Sequence, residues 1–302
     1  MQIMFLLAAV ALAGCSKNNE GTVTPPVPEA PVAVQLSAGL HTLPAPKAPV
    51  VSGTSFTAAV AGWESASTVN YATAAAWSTT AQITASASAA AITLAQSQTY
   101  SQQSGVSTYM KAWYPAGTLD ANGQVTFGGT ADGTTDVLLA GEVVGSATNS
   151  GVKTLTFNHP LTQLKFKVDA DASFGTATTI TGISVHDAQL PSGIDLASDA
   201  VAYAGAANLT VPGIAAGQAI TATAAAAGDP IMMKPFTGNQ ITLTVTTSDA
   251  TYDNVKATID DDANFIPGKA YTITLHFSGA ELQAQASVTD WVDSGTGQGD
   301  VQ

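Results

Sequence analysis

Apolar and polar residues alternate along much of this chain, and that period of two constrains the fold more than any other feature of the sequence. In QITLTVTT (240–247) and AYTITLHF (270–277), a polar residue follows nearly every large apolar one. Such alternation gives a strand one face for a core and one for water, as in antiparallel sandwiches. Turn signals such as DANGQ (120–124) and IPGK (266–269) separate the runs. The sequence therefore predicts an all-β protein.

The length of 302 residues suits two domains of roughly 100–200 residues each. A change of composition at DADASFGTAT, residues 169–178, lies between two strongly alternating runs. We therefore expect one β-sandwich domain at residues 32–170 and a second at residues 171–302.

Residues that could carry chemistry are few and scattered, and the formal net charge is −13. A polyanion repels phosphate backbones, which excludes nucleic acid as a partner. No pair of the four histidines has metal-ligand spacing, and a corner hydrogen bond is the predicted role of His159. Residues 260–262 are three aspartates, but they lack the spacing of a calcium loop, so a solvated loop is favoured. Without a nucleophile elbow, phosphate loop or dinucleotide fingerprint, the sequence predicts no enzyme, no cofactor and no metal site.

Aromatic residues are the remaining candidates for a binding surface. Tyr109, Trp113 and Tyr114 lie in YMKAWYP, and further tryptophans occur at Trp63, Trp77 and Trp291. Core filling is the favoured interpretation, because the chain is short of large side chains, and a sugar-binding platform is the alternative.

The chain's one cysteine, Cys15, follows the apolar segment of residues 3–13. That segment fits the hydrophobic part of a signal peptide and is too short to span a bilayer as a helix. The sequence LAGC at 12–15 resembles the lipobox of bacterial lipoproteins, whose cysteine becomes the first mature residue and carries lipid. We expect a lipoprotein signal peptide at residues 1–14, lipid such as palmitate on Cys15 and a proline-rich flexible tether at residues 15–31. A buried free thiol is the alternative.

A succession of segments from about residue 48 to residue 302 is distinctive as a set: TSFTAAVAGW, YMKAWYPAG with GQVTFGG, TTDVLLAG, TLTFNHPLTQLKFKV and FIPGKAYTITLHFSGAELQAQASVTDWVDSGTGQGDV. In this order, and together with the lipobox, they resemble the fimbrillin family. Members of that family are the subunits of lipoprotein-derived (type V) pili of Gram-negative, Bacteroides-type anaerobes.

The resemblance implies two transthyretin-like β-sandwich domains in tandem and assembly by donor-strand exchange. In that scheme a lipidated precursor reaches the outer membrane surface, where a trypsin-like protease cuts after a basic residue just past the first strand. A strand of the next subunit then fills the groove that the first strand leaves. The implied partners are other fimbrillin subunits, in a homo- or hetero-polymer, and the implied location is a fimbrium at the cell surface.

The residues that would form the displaceable first strand are Val32, Val34 and Leu36, which alternate with polar or small residues. Burying three such side chains contributes roughly 5–8 kcal/mol as an upper bound. Their loss would expose an apolar groove and unpaired backbone groups, which together form a template for an added strand.

The candidate processing site is the Lys47–Ala48 bond in LPAPKAPVV (43–51), a loop that its prolines keep extended. Lys47 is the only lysine or arginine between positions 17 and 111. The family usually shows arginine at this site, whereas this chain contains none, so a lysine-tolerant protease is required. Without cleavage the protein would stay lipid-anchored with its groove closed.

A candidate donor strand lies near the other end of the sequence, where Leu282, Ala284, Ala286 and Val288 alternate with polar residues. The alternative is that this segment simply pairs within its own domain.

The leading hypothesis is a fimbrillin-like pilus subunit, or a pilus-associated surface lipoprotein, that supports adhesion. The competing hypothesis is a non-polymerising, lipid-anchored surface protein that binds a glycan or a host protein through exposed aromatic residues such as Trp63, Trp77 or Trp113.

Overall fold

The computed structural model describes residues 30–41, 50, 53–129, 132–172, 174, 177–259, 264–278 and 281–290. All regular secondary structure in these ranges is β-strand, which confirms the all-β prediction. Over the same ranges there is no helix of the length and apolarity that crossing a bilayer demands.

The strands are numbered in chain order. They are β1 (Leu36–Leu40), β2 (Ser55–Ser65), β3 (Trp77–Thr84), β4 (Ala90–Ile92), β5 (Ser107–Tyr114), β6 (Thr118–Leu119), β7 (Gln124–Thr126), β8 (Leu138–Gly145), β9 (Lys153–Asn158), β10 (Thr162–Ala170), β11 (Thr179–Ala188), β12 (Pro191–Asp195), β13 (Ala200–Tyr203), β14 (Ala207–Thr210), β15 (Gln218–Ala219), β16 (Ala225–Ala226), β17 (Ile231–Met233), β18 (Phe236–Thr237), β19 (Gln240–Thr247), β20 (Thr251–Ile259), β21 (Asn264–Phe265), β22 (Lys269–Ser278) and β23 (Glu281–Asp290).

The first large sheet has seven strands in the order β3-β2-β5-β8-β9-β1-β4. Its pairs are antiparallel except for β1, which runs parallel to β9. The predicted alternation in β9 is confirmed, because Leu155 and Phe157 are buried while the residues between and beside them are more exposed. These two side chains pack in a core with β1, β2, β3, β5 and β8.

The second large sheet follows the order β14-β11-β19-β20-β23-β22-β10-β16, with β15 and β17 added at β11 and β10. Its leading strand, β10, again runs parallel to a late strand, β22. The apolar residues of β10, β19 and β22 alternate into one core, as the period of two predicts.

The position of β10 differs from the expectation. The predicted boundary at residues 169–178 left Thr162–Ala170 with the N-terminal domain, whereas the strand pairs along its length with β22 of the second sheet. Alternation shows that a segment is a strand but not which sheet it joins, because pairing partners are distant in sequence. The division into two domains stays a prediction.

A third apolar cluster connects the two large sheets. It contains Trp63, Trp113 and Val125 from the first half of the chain and Ile194 and Met232 from the second. A small sheet of order β13-β12-β7-β6 spans the same region, with β7 pairing across to β12. By their contacts, residues 31–302 form one unit.

Candidate functional site

The strand β1 lies inside the seven-stranded sheet, with a neighbour on each side. It pairs in parallel with β9, from Leu36 opposite Lys153 to Leu40 opposite Phe157. On its other side it pairs antiparallel with β4, where Leu36 is opposite Ile92. A strand in this position uses the hydrogen-bonding groups of both its edges.

Backbone hydrogen bonds extend this pairing to both ends of the segment. They are Tyr100 N to Val32 O (2.9 Å), Val34 N to Gln98 O (2.9 Å), Lys153 N to Gln35 O (3.0 Å), Leu40 N to Ser86 O (2.9 Å) and His41 N to Phe157 O (2.8 Å). The segment held in the sheet is therefore residues 32–41, longer than β1 itself.

The inward face of β1 is apolar and almost fully buried. Leu36, Ala38 and Leu40 are 2–3% exposed, and Val32 and Val34 pack partly buried against the same core. The three residues predicted from the sequence thus share one face. Ala38 and Leu40 were not predicted, although the alternation of Leu36, Ala38 and Leu40 continues the pattern through the small residues of LSAGL.

The outward face of β1 is closed by a neighbouring segment. Ser37 is buried, and its Oγ lies 2.9 Å from Thr154 Oγ1. A Cβ atom on Gly39 would lie 3.1 Å from Ala89 Cα, tighter than nine in ten real Cβ contacts, and 3.4 Å from Ser86 O. At the Gly39 position the neighbouring segment therefore leaves little room for a side chain.

Cys15, Lys47 and Ala48 lie outside the described residues, as do residues 260–262 and Trp291. Their predicted roles, lipidation at Cys15 and cleavage between Lys47 and Ala48, stay predictions.

The candidate donor strand is β23, which pairs within the second large sheet. It is antiparallel to β22 along its whole length and meets β20 in parallel at Gln285 and Ala286. Its predicted inward residues, Leu282, Ala284, Ala286 and Val288, pack partly buried against the second core, while the intervening residues Gln283, Gln285 and Ser287 are exposed. β1 and β23 belong to different sheets, so the structure does not bring them together.

Two of the tryptophans named by the competing hypothesis, Trp63 and Trp113, are buried. Trp63 and Trp113 are 2% and 1% exposed, and their indole N–H groups donate to the carbonyls of Thr73 and Ala116 at 2.9 Å. An exposed platform that uses these two side chains is wrong, because both fill the cluster between the two sheets. Trp77 is partly exposed and lies against the backbone of Gly62.

A buried lysine joins the two halves of the chain, and no sequence pattern predicted it. Lys111 Nζ donates to Leu196 O and Asp199 Oδ1, both at 2.7 Å, and lies 4.0 Å from the ring centroid of Tyr71. The Tyr71 hydroxyl donates to Glu142, and burial, followed by this carboxylate, raises the tyrosine pKa far above its usual range.

Two histidines contact carboxylates. His159 is buried with its Nδ1 3.2 Å from Asp136 Oδ1, which confirms the predicted corner hydrogen bond. His276 Nδ1 lies 2.7 Å from Asp169 and its Nε2 lies 3.2 Å from Asp171. The hydrogen bond with Asp169 is the main reason that the pKa of His276 is raised. Within the described ranges, no three His, Cys, Asp or Glu side chains are grouped to hold a metal ion.

Comparisons with known proteins agree with this architecture. Similar solved folds include candidate cell adhesion proteins from Bacteroides uniformis (TM-score 0.56, 16% identity, 86% of this chain and 98% of that one) and Bacteroides ovatus (TM-score 0.54, 14% identity, 87% and 99%). A third is a fimbrial protein from Bacteroides vulgatus (TM-score 0.50, 12% identity, 85% and 99%). At such identities the likeness concerns the fold alone.

No curated protein sequence matches the chain. The sequence profile of the family described as fimbrillin-like matches residues 48–291, which is well over half of the chain. The chain therefore belongs to the fimbrillin-like family of fimbrial proteins.

Proposed function

We propose that this protein is a structural subunit of a cell-surface fimbrium, that it joins other fimbrillin subunits by donor-strand exchange, and that it thereby supports adhesion. It is exported as a lipoprotein and held at the outer membrane by lipid on Cys15. Cleavage of the Lys47–Ala48 bond then separates the folded body from β1 and from the lipid.

The position of β1 in the sheet is the observation that supports this proposal most directly. Among the described strands β1 comes first along the chain, and residues 42–49 lead from it towards all the others. A single cut in that segment therefore makes β1 a separate, non-covalently held strand. β1 nevertheless occupies an interior place between β9 and β4.

Departure of β1 would leave a strong template for another strand. The edges of β9 and β4 would both lose hydrogen-bonding partners, and the core would lose the inward side chains of Leu36, Ala38 and Leu40. An incoming strand would recover hydrogen bonds on two edges rather than one and would refill the apolar pockets. Unpaired buried backbone groups are costly, so the vacated groove favours rapid refilling.

The test is strand uptake after cleavage. The full chain is treated briefly with a lysine-specific protease until the bond after Lys47 is cut, and is then mixed with a fluorescent peptide of residues 31–41, PVAVQLSAGLH. We expect the cleaved protein to take up the peptide in exchange for its own strand, measured by fluorescence anisotropy and native mass spectrometry.

Uncleaved Lys47→Gln protein is the matched control and should take up none, because its own strand stays tethered. If the protein cut after Lys47 takes up no peptide even when warmed towards its melting temperature, donor-strand exchange at this groove is excluded.

A further inference from the structure

We infer that a recess at the end of β11 is a binding site for a neutral saccharide. The recess has a volume of about 450 Å³, which is within the usual range of small-molecule sites. It belongs to the second large sheet and shares no residue with the β1 segment. The inference therefore does not depend on strand exchange at β1.

A β-bulge near the end of β11 opens the recess. The ladder between β11 and β19 runs as far as the pair Val185–Leu243, and between Val185 and Ala188 the register of β11 with β14 shifts. Asp187 lies within this shift and has a φ of 53°, a backbone region that aspartate tolerates better than most residues. β11 therefore no longer pairs with residues 240–242 of β19, and the recess lies between them.

Hydrogen bonds hold the walls of the recess in place. Lys234 N donates to Gln189 O at 2.9 Å, which ties the segment before β18 to the segment after β11. On β19, Gln240 Nε2 donates to Thr258 Oγ1 of β20 at 3.1 Å. A recess whose walls are already fixed loses little conformational freedom when a ligand binds.

The polar side chains of the lining both donate and accept hydrogen bonds. Asp187 provides a carboxylate, Lys234 an ammonium group, and Gln189 and Gln240 provide amides. Apart from the imidazole of His186, the charged side chains of the lining are thus one anion and one cation. Hydroxyl groups donate and accept as well. A neutral ligand that carries many hydroxyl groups therefore matches this lining better than an ion of either sign.

The lining also offers apolar surface. Met233 and Ile241 line the recess and are 4% and 5% exposed. Phe236 lines it too, and its ring stacks on that of Phe265, with centroids 4.4 Å apart and an angle of 15° between the planes. A saccharide has apolar C–H faces beside its hydroxyl groups, so a fixed aromatic ring among polar side chains suits both parts of it.

A peptide strand suits the recess less well than a saccharide does. β19 begins at Gln240, so only residues 240–242 of this strand lie beyond the ladder with β11. A strand added to a sheet edge gains its affinity from main-chain hydrogen bonds, and strands are typically about five or six residues long. An edge of this length favours a ligand that is bound through the side chains of the lining.

The inference is tested with an array that carries neutral glycans, acidic glycans and random pentapeptides. The array is probed with the intact, uncleaved chain, detected through a C-terminal affinity tag so that no lysine is labelled. We expect binding to neutral glycans, and each neutral glycan that binds is then titrated in free form by saturation-transfer NMR to give its Kd.

Binding confined to acidic glycans or to pentapeptides would overturn the inference, and so would an array to which the protein does not bind at all. Neither result would affect the proposed strand exchange, because the recess and the β1 groove have no residue in common.

Two variants locate the binding in the recess. Asp187→Asn keeps the size of the side chain and tolerates the same φ, and Gln189→Ala keeps the carbonyl that accepts from Lys234 N. We expect each to raise the Kd of the neutral glycan about fivefold or more, with the melting temperature nearly unchanged. Asp229→Asn, at an exposed position outside the recess, is the control and should leave the Kd unchanged. If both recess variants bind as the unaltered protein does, the glycan binds elsewhere and the assignment is wrong.

Discussion

At the scale of single residues, Lys111 is notable because a cation with 4% exposure would ordinarily be costly to bury. Its ammonium group is balanced by one carboxylate, one carbonyl and one aromatic face, supplied by Asp199, Leu196 and Tyr71. Cation–π contacts and charge-assisted hydrogen bonds gain strength where water is excluded. Because the partners come from both halves of the chain, this lysine stabilises their junction.

We expect Lys111→Met to lower the free energy of unfolding by about 1–3 kcal/mol, since the Leu196 carbonyl loses its charged donor. The methionine keeps most of the packed stem, so the loss reports mainly on the polar contacts. Urea denaturation measures it. Lys167→Met, at an exposed position of β10, is the control and should change stability by less than about 0.5 kcal/mol. Equal effects of the two variants would show that the Lys111 contacts contribute nothing.

His276 and its neighbour Asp171 make the stability of the folded protein depend on pH. The pKa of His276 is raised, first by the hydrogen bond with Asp169. The stability that His276 adds to the folded state is therefore fully present below the ordinary histidine pKa and is lost as pH rises through the folded-state pKa. The pKa of Asp171 is lowered, mainly by the hydrogen bond from Ser278. The stability that Asp171 adds is therefore present above the ordinary aspartate pKa and is lost as pH falls through the folded-state pKa.

We therefore expect His276→Asn to lower the melting temperature more at about pH 5.5 than at about pH 8.5. His41→Asn, at an exposed position, is the control. Thermal melts at the two pH values measure the difference, and a pH-independent effect of His276→Asn would contradict the assignment.

At the scale of elements, β1 unites the two properties that strand exchange needs: a buried apolar face and a position first among the described strands. Leu40 marks the end of this strand and lies 2% exposed in the first core. The free energy of unfolding that the Leu40 side chain contributes shows how firmly β1 is held before any cleavage.

Leu40→Ala in the uncleaved protein should cost about 2–5 kcal/mol of unfolding free energy, because it removes buried methyl groups and leaves a cavity. Gln35→Ala, on the exposed side of the same segment, is the control and should be near neutral. Chemical denaturation compares them. A near-neutral Leu40→Ala would mean that the Leu40 pocket does not hold β1 in the groove, contrary to this prediction.

The elements also show how far the sequence predicts the structure. The strands β9, β10, β19, β22 and β23 could be predicted because apolar residues alternate with polar ones along them. The extension of β1 to Leu40 could not, because Ser37 and Gly39 carry no apolar signal and lie against Thr154 and Ala89, which are distant in sequence. The membership of β10 in the second sheet depends on its pairing with β22, which local periodicity cannot specify.

At the scale of the whole molecule, two curved sheets share an apolar junction, and the candidate site lies in the first of them. The burial of Trp63 and Trp113 in that junction illustrates what composition leaves open. Tryptophan suits a ligand platform and a core equally well, and only the tertiary arrangement decides between them. In this chain the arrangement favours a structural role, consistent with a fimbrial family.

If the proposed function is correct, the subunit assembled into a fimbrium no longer contains β1. Mass spectrometry of the mature N-terminus, on protein recovered from fimbriae sheared off its native cells, tests this most directly. We predict an N-terminus at Ala48, with residues 15–47 absent from the assembled subunit. An intact chain that begins at acylated Cys15 in the sheared fimbriae would contradict donor-strand exchange through loss of β1.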